Sequence, residues 1–284
     1  MSTQNPLFSI LVAQYNNGIF FKDFYDSILS QTYKNWEMII VDDASTDNSL
    51  EVISKIINGD KRVSLYNNSK NQGCGYTKRK CIELAKGDIL GFVDPDDKIS
   101  ETAIEDMVHT HLENPNSSII YSSHYDCDEA FNIKYKAQKH SIKQRDPLFF
   151  NLDAVIFHFS TFKKVFYLKT DGIDPYLQRA VDMDLYLKLY DVGDATFLDK
   201  FLYYYRWHDK GLAIAAGNRD KARFWHWLSI TNIAKKRGVK NIDTLFVEDF
   251  TRKYKYDSLL QIVNKSRFLK IGRFLGLLKN IPTI

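Results

Sequence analysis

The chain of 284 residues has no apolar run near the ~18 residues needed to span a bilayer, which predicts a protein that does not cross a membrane. Its N-terminus, MSTQNPLFSILVAQYNNG, lacks a charged segment followed by a long apolar core, so no secretory leader is expected. Cysteine is scarce. Cys74, Cys81 and Cys127 have neither CxxC nor zinc-finger spacing, and their odd number predicts reduced thiols in a cytoplasmic setting. No internal repeat or low-complexity tract is present. Acidic residues nearly vanish from one stretch: between residues 252 and 284, eight Lys and Arg face Asp257 alone, a net +7. The chain total is +4, so the remainder carries −3 (4 − 7), and an acidic body argues against a nucleic-acid partner. Phe268, Ile271, Phe274, Leu275, Leu278 and Ile281 are interleaved with the basic residues of that tail. The pattern suits peripheral contact with an anionic membrane, at the inner face of the cell membrane, or a helix packed on the body with its cations in water. Gly272 and Gly276 weaken the helix.

What remains is ordinary globular composition, 44% hydrophobic and 26% charged, and enough length for one large domain with or without a subdomain. Strand-like runs occur at Phe8–Ala13, Met38–Val41, Val63–Tyr66 and Ile89–Val93. Between them, Phe20–Ser30, the stretch Leu50 to Ile57 (with Ser45 or Asp47 as N-cap) and Tyr76–Ala85 carry helical spacing, the last stopped by Gly87 as C′ residue. Alternating strands and helices predict parallel pairing with right-handed crossovers. A helix is expected over Glu101–Leu112, strands at Ser118–Tyr125 and Phe157–Phe166, a helix at about Met183–Asp191, a strand pair Ala195–Leu198 and Phe201–Arg206, and a helix at Asp220–Arg237. Residues 126–150 read as an irregular excursion.

In an open α/β sheet, ligands bind outside the carboxyl ends of the strands. Here those ends carry Tyr15-Asn16, Asp42-Asp43 and Asp94-Pro95-Asp96-Asp97. Three carboxylates within four residues need compensation, because like charges about 4 Å apart repel by ~4 kcal/mol near a protein surface. Helix-cap hydrogen bonds or a cation would supply it.

In order along the chain stand Ala13-Gln14-Tyr15-Asn16, the phrase SILSQTYKNWEMIIVDDASTDNS at 27–49, Asn71-Gln72-Gly73, the acids Asp94–Asp97, Val181-Asp182-Met183-Asp184 and Tyr203-Tyr204-Tyr205-Arg206-Trp207-His208. Over about residues 7–210 this series resembles the inverting glycosyltransferases of family 2, of the bacterial surface-polysaccharide type. The resemblance implies a GT-A fold: α/β, a Rossmann-like, mostly parallel central sheet flanked by helices, with a helical C-terminal extension. The implied division is a glycosyltransferase domain at 1–215, with a nucleotide-sugar half at about 1–100 and an acceptor half at about 101–215, then an extension at 216–284 with the basic tail. The chain departs from the family pattern at Lys78, where Arg is usual, at Val181 in place of Glu, and at Ala13 and Gln14.

The resemblance also implies roles. The expected nucleotide-sugar ligands are Tyr15, stacking on the base, with Asn16, Asp42, Asp43, Gly73, Lys78 and Asp94. Asp43 would accept from the base ring nitrogen, and Asp42 would brace the loop or reach a ribose; an Asx-turn is the plainer reading of either. A hard divalent cation, Mn²⁺ or Mg²⁺, would sit on Asp96 with Asp94 and His208 and act as Lewis acid on the diphosphate. Asp97 is expected to cap the next helix. Asp182 would be the general base and Asp184 structural. The donor would be a nucleoside-diphosphate sugar, UDP-linked, and the acceptor a glycan or lipid-linked glycan. The segment 158–164 and the 126–150 excursion would shape the acceptor pocket. Trp207 and Trp225 are candidates for stacking on a sugar, although packing is the commoner role of either. A sugar-nucleotidyltransferase would instead show a Gly-rich basic loop where Gln14–Gly18 stands, and a non-catalytic glycan-binding relative would have lost the acids Asp96 and Asp182.

Overall fold

The structure, a computed structural model, describes residues 5–209, 218–239 and 242. Strands β1 (Phe8–Gln14), β2 (Trp36–Asp42), β3 (Val63–Asn67) and β4 (Ile89–Phe92) alternate with helices α1 (Phe21–Leu29), α2 (Ser49–Ile57) and α3 (Cys74–Leu84). There follow β5 (Lys98–Ile99), α4 (Ala103–Glu113), β6 (Ser117–Cys127), β7 (Ile133–Ala137), β8 (Ser160–Lys163), α5 (Lys164–Tyr167), α6 (Val181–Val192), β9 (Asp194–Arg206) and α7 (Asn218–Lys236). The chain divides into two units, Met1–Ile233 and Ala234–Ile284; every element before α7 belongs to the first, and the boundary falls within the last turn of α7. The basic tail at 252–284, with its expected membrane contact, lies outside the described residues. No described helix is long and apolar enough to cross a membrane.

The sheet runs in the order β3-β2-β1-β4-β8-β6-β9-β5, with β7 added on β6. β1 pairs in parallel with β2 and β4, β2 with β3, and β6 with β9; β8 runs antiparallel to both β4 and β6. β1, β2, β3, β4, β6 and β9 therefore all point the same way. Their carboxyl ends share one edge, and β8 begins at that edge because it runs the other way. Side chains alternate between two cores because successive residues of a strand face opposite sides. Phe8, Ile10 and Val12 of β1 pack with Met38 and Ile40 under α1, α2 and α4. Leu11, Ile39 and Val41 face the other side, toward α3 and α6. The mostly parallel α/β sheet flanked by helices agrees with the sequence reading.

Several local expectations are corrected. β6 continues to Cys127 and turns into β7, so the 126–150 excursion begins as a hairpin. Only Ser160–Lys163 of the 157–166 run is strand; Lys164–Tyr167 coils into α5. The two strands expected at 195–206 are one, β9, with irregular register opposite Ser122–His124. The N-cap of α2 is Asn48, one residue past Asp47, whose carboxylate accepts from the Ser49 N–H at 2.9 Å. Gly87 does not close α3 in a left-handed turn; Ala85 at the C-cap is extended. Gly87 is needed for close approach: a Cβ there would meet Ser9 Oγ at 2.5 Å and the Leu7 carbonyl at 2.7 Å.

Candidate active site

The edge defined by the strand ends is polar and internally braced. At the end of β2, Asp42 is fully buried and accepts from both the backbone N–H (2.8 Å) and the hydroxyl of Ser45. It is an Asx-turn anchor with both oxygens engaged, so bracing the loop, one of its two expected roles, is what the geometry shows. Asn16, with φ +54°, ties the first loop to the second: its N–H donates to Ser45 Oγ (2.9 Å) and its amide oxygen accepts from Thr46 N–H (2.8 Å). Tyr15 beside it is 43% exposed, open for a planar ligand to stack on.

Asp43 accepts from Asn68 Nδ2, Gln72 N–H and Gly73 N–H, each at 2.8 Å. A carboxylate offers about four lone-pair sites, so one is left over. Gly73 is obligatory here: its φ is +91°, and a Cβ would stand 2.8 Å from the Gln178 amide. From Gly73 the chain enters α3, and one turn later Lys78 points inward, 4% exposed.

Lys78 is the junction of the site. Its ammonium lies 2.6 Å from Asp182 Oδ1 and 3.7 Å from Asp94 Oδ1, with the Phe92 ring 5.0 Å away. Asp182 occupies the first turn of α6, where the helix dipole favours an anion. Burial, the largest single influence, would raise its carboxyl, but the Lys78 ammonium, then His158, and the hydrogen bond from Lys78 together outweigh it and hold Asp182 below the usual carboxylate range. Burial likewise opposes the charge on Lys78, and Asp182 and then Asp94 overcome it, keeping the amine protonated far into the alkaline range. Both carboxylate side chains remain 31% exposed, so a ligand can reach them. Asp94 Oδ2 also faces His158 Nε2 at 3.8 Å, two residues before β8. Asp184 is buried against Lys188 at 2.7 Å, which gives it a structural place.

Asp96 takes the other side. Its Oδ2 lies 2.8 Å from Nε2 of His208, a buried ring packed 4.3 Å from Phe20. Adjacent ligands of an octahedral Mg²⁺, bound at about 2.0–2.1 Å, stand roughly 3 Å apart, so this pair fits two neighbouring positions on such an ion. The expected third ligand, Asp94, instead faces Lys78 and His158. Among the described residues no three His, Cys, Asp or Glu gather into a ready metal cage. Phosphate oxygens and water would have to supply the other positions.

Asp97 does not cap the following helix, whose N-cap is Thr102. It is buried and accepts from the Tyr203 hydroxyl and the Arg206 N–H, both at 2.7 Å. Burial, then the charges of Asp96 and Asp94, push its carboxyl well above the usual range. The Tyr203 oxygen also accepts from the Asp94 N–H at 3.3 Å. The acids at 94–97 are thus held by a strand more than a hundred residues downstream. Tyr203 and Asn68 were not singled out from sequence; the Tyr-rich run before Arg206 was the one available signal for the former.

A family model, Glycosyl transferase family 2, matches residues 9–170. The chain belongs to that family. The hyaluronan synthase of Pasteurella multocida is 27% identical over 267 residues, covering 93% of this chain but 27% of the synthase. The chain spans about a quarter to a third of the length of the curated relatives it first matches. Among solved structures, S. aureus TarS 1–349 in complex with UDP-GlcNAc superposes with a TM-score of 0.65 at 19% identity, covering 90% of this chain and 78% of that one. The mannosyltransferase PcManGT from Pyrobaculum calidifontis, in complex with GDP-Man and Mn²⁺, gives 0.62 at 15% identity, covering 81% and 65%. These likenesses show the fold, GT-A-like, of a family 2 glycosyltransferase domain. The family match ends at residue 170, so it covers Asp43, Lys78, Asp94 and Asp96 but not Asp182 or His208.

Proposed function

We propose that this chain transfers a sugar from a nucleoside-diphosphate sugar, UDP-linked, to a hydroxyl of a glycan or lipid-linked glycan during surface-polysaccharide synthesis, with inversion at the anomeric carbon. The observation that carries the reading is the buried Lys78, shared between Asp182 and Asp94. It joins a carboxylate able to act as base to one on the donor side. The TarS complex with UDP-GlcNAc and the name of the hyaluronan synthase support the donor and the polymer setting.

Residues 1–215 form the catalytic domain in this reading, and 216–284 an extension. Tyr15 stacks on the base, while Asp43, with its remaining lone pair, receives the base N–H. Asn16, Asp42 and Gly73 act by holding those loops in place. Asp94 orients the donor sugar. Asp96 and His208 would hold Mn²⁺ or Mg²⁺, which when bound neutralises charge on the departing diphosphate. Asp182, ionised because Lys78 faces it, takes the acceptor hydroxyl's proton as that oxygen bonds the anomeric carbon. The bond from that carbon to the diphosphate breaks with its electron pair on the leaving nucleoside diphosphate. No covalent sugar–enzyme bond is needed.

The test is a screen of UDP- and GDP-linked sugars for hydrolysis and transfer, with and without EDTA. Release of UDP that stops with EDTA and returns on adding Mn²⁺ is expected. Asp96→Asn and His208→Ala should each lower the metal-supported rate by on the order of 100-fold. Release of inorganic pyrophosphate, or metal-independent turnover, contradicts the reading.

A further inference from the structure

Trp207 is placed unlike its neighbours. Arg206 and His208 on either side are buried, yet the indole between them is 48% exposed. An exposed indole usually keeps its N–H for water, but here Nε1 donates to Asp126 Oδ1 at 2.9 Å. The Trp207 backbone N–H donates to the Cys127 carbonyl at 2.9 Å, extending the β6–β9 pairing by one residue. Ring edge and backbone are therefore both fixed, while part of the ring stays open to solvent.

Its position gives that exposure a use. β6 and β9 run parallel to β4, so Asp126 and Trp207 stand on the same edge as Asp43 and Asp94. Aromatic rings connect them to the candidate reaction centre. Trp207 meets Tyr205 edge-on at 5.7 Å, Tyr205 stacks on His158 at 6.3 Å, and His158 reaches Asp94 at 3.8 Å. Two ring-to-ring steps, each about the width of a pyranose, thus separate the indole from the Asp94–Lys78–Asp182 junction. A pyranose carries C–H groups on one face and hydroxyls around its rim. Such a ring packs well on an aromatic face whose own polar edge is already satisfied. Packing, the commoner role for a Trp in this sequence, describes the half-buried Trp225, which lies against the core on the α3 and α6 side. It does not describe Trp207.

We infer that Trp207, locked by Asp126, is a stacking platform for a pyranose ring of the acceptor glycan, next to the ring that receives the new bond. The inference rests on the reading of this edge as a glycosyl-transfer site. A preorganised face binds without first ordering a mobile side chain, so removing the ring should weaken glycan binding more than nucleotide binding.

The experiment measures binding to the full chain in the presence of UDP and Mn²⁺, so it does not depend on turnover. Hexasaccharides of glucose, of N-acetylglucosamine and of hyaluronan are titrated by calorimetry, and UDP is titrated separately. At least one hexasaccharide should bind, and Trp207→Ala should weaken it by about tenfold or more while the UDP Kd moves less than twofold. Trp207→Phe should retain part of the affinity and lose the fluorescence change that binding causes in the native protein. Asp126→Ala, which frees the ring edge, should fall between. Unaltered hexasaccharide binding by Trp207→Ala, equal loss of UDP binding, or no hexasaccharide binding by the native chain overturns the inference. Glycan binding that depends on Trp207 in a chain that turns over no sugar nucleotide would leave the platform standing and sink the transferase reading.

Discussion

Lys78, buried, and Asp182, partly exposed, form an ion pair at 2.6 Å between residues 104 positions apart in sequence. The pair locks α3 to the first turn of α6 and sets the charge of the group assigned as base. Loss of one partner is costly: a fully buried charge left unpaired costs about 3–5 kcal/mol, and the exposure of Asp182 lowers the figure here.

Replacing the lysine therefore has two separable effects. In Lys78→Met, Asp182 loses the charge that holds it low, so the acid limb of the kcat profile should move to higher pH. The pair's contribution to stability is present above the ordinary carboxylate range and is lost as pH falls through the depressed Asp182 value. The variant should accordingly lose stability at pH 7 and show less of the native protein's loss on acidification. Lys78→Arg keeps the charge and should leave the acid limb in place. A Met variant whose pH profile overlays the native one would refute the coupling.

Asp97 makes the opposite prediction. Its folded-state proton is held well above the usual range, so the folded chain binds more protons than the unfolded chain once pH passes about 3.9. This group's contribution to stability falls as pH rises toward the folded value. In Asp97→Asn the amide oxygen still accepts from the Arg206 N–H, and the amide N–H can donate to the Tyr203 oxygen. In thermal melts of metal-free protein from pH 5 to 8, the variant should gain on the native chain as pH rises. Parallel curves would show that Asp97 is ionised throughout.

The contrast between these acids marks the limit of what sequence discloses. The strand runs and the acids at their ends were legible because a central parallel strand is apolar on both faces and its polar residues collect where it ends. The division of labour among Asp94, Asp96 and Asp97 was not. It is decided by Lys78, Tyr203 and His208, which arrive from a helix, from β9 and from just beyond the end of β9, and no local period connects them. β7 escaped for a different reason: Ile133–Ala137 alternates apolar residues with lysines, but the run is only five residues long and is exposed on both faces, so it buries little that would mark it off from the polar excursion around it. For Trp207 the sequence left stacking and packing both open, because its exposure and its bond to Asp126, a contact between the ends of β6 and β9, are tertiary features.

Tyr15 tests the donor end. It is exposed, so Tyr15→Ala should leave the melting temperature nearly unchanged. Loss of base stacking worth ~1–3 kcal/mol should raise the donor KM by roughly 5- to 150-fold. Tyr15→Phe, which keeps the ring, should behave almost as the native chain does. An unchanged donor KM in the Ala variant would remove Tyr15 from the nucleotide site.

The central claim is that Asp182 takes the acceptor proton. Asp182→Asn keeps the shape and one oxygen facing Lys78, so donor affinity measured by calorimetry should stay within about threefold. Transfer measured under single-turnover conditions should fall by on the order of 10²–10⁴-fold. A variant that binds donor normally and transfers sugar within tenfold of the native rate would contradict the account.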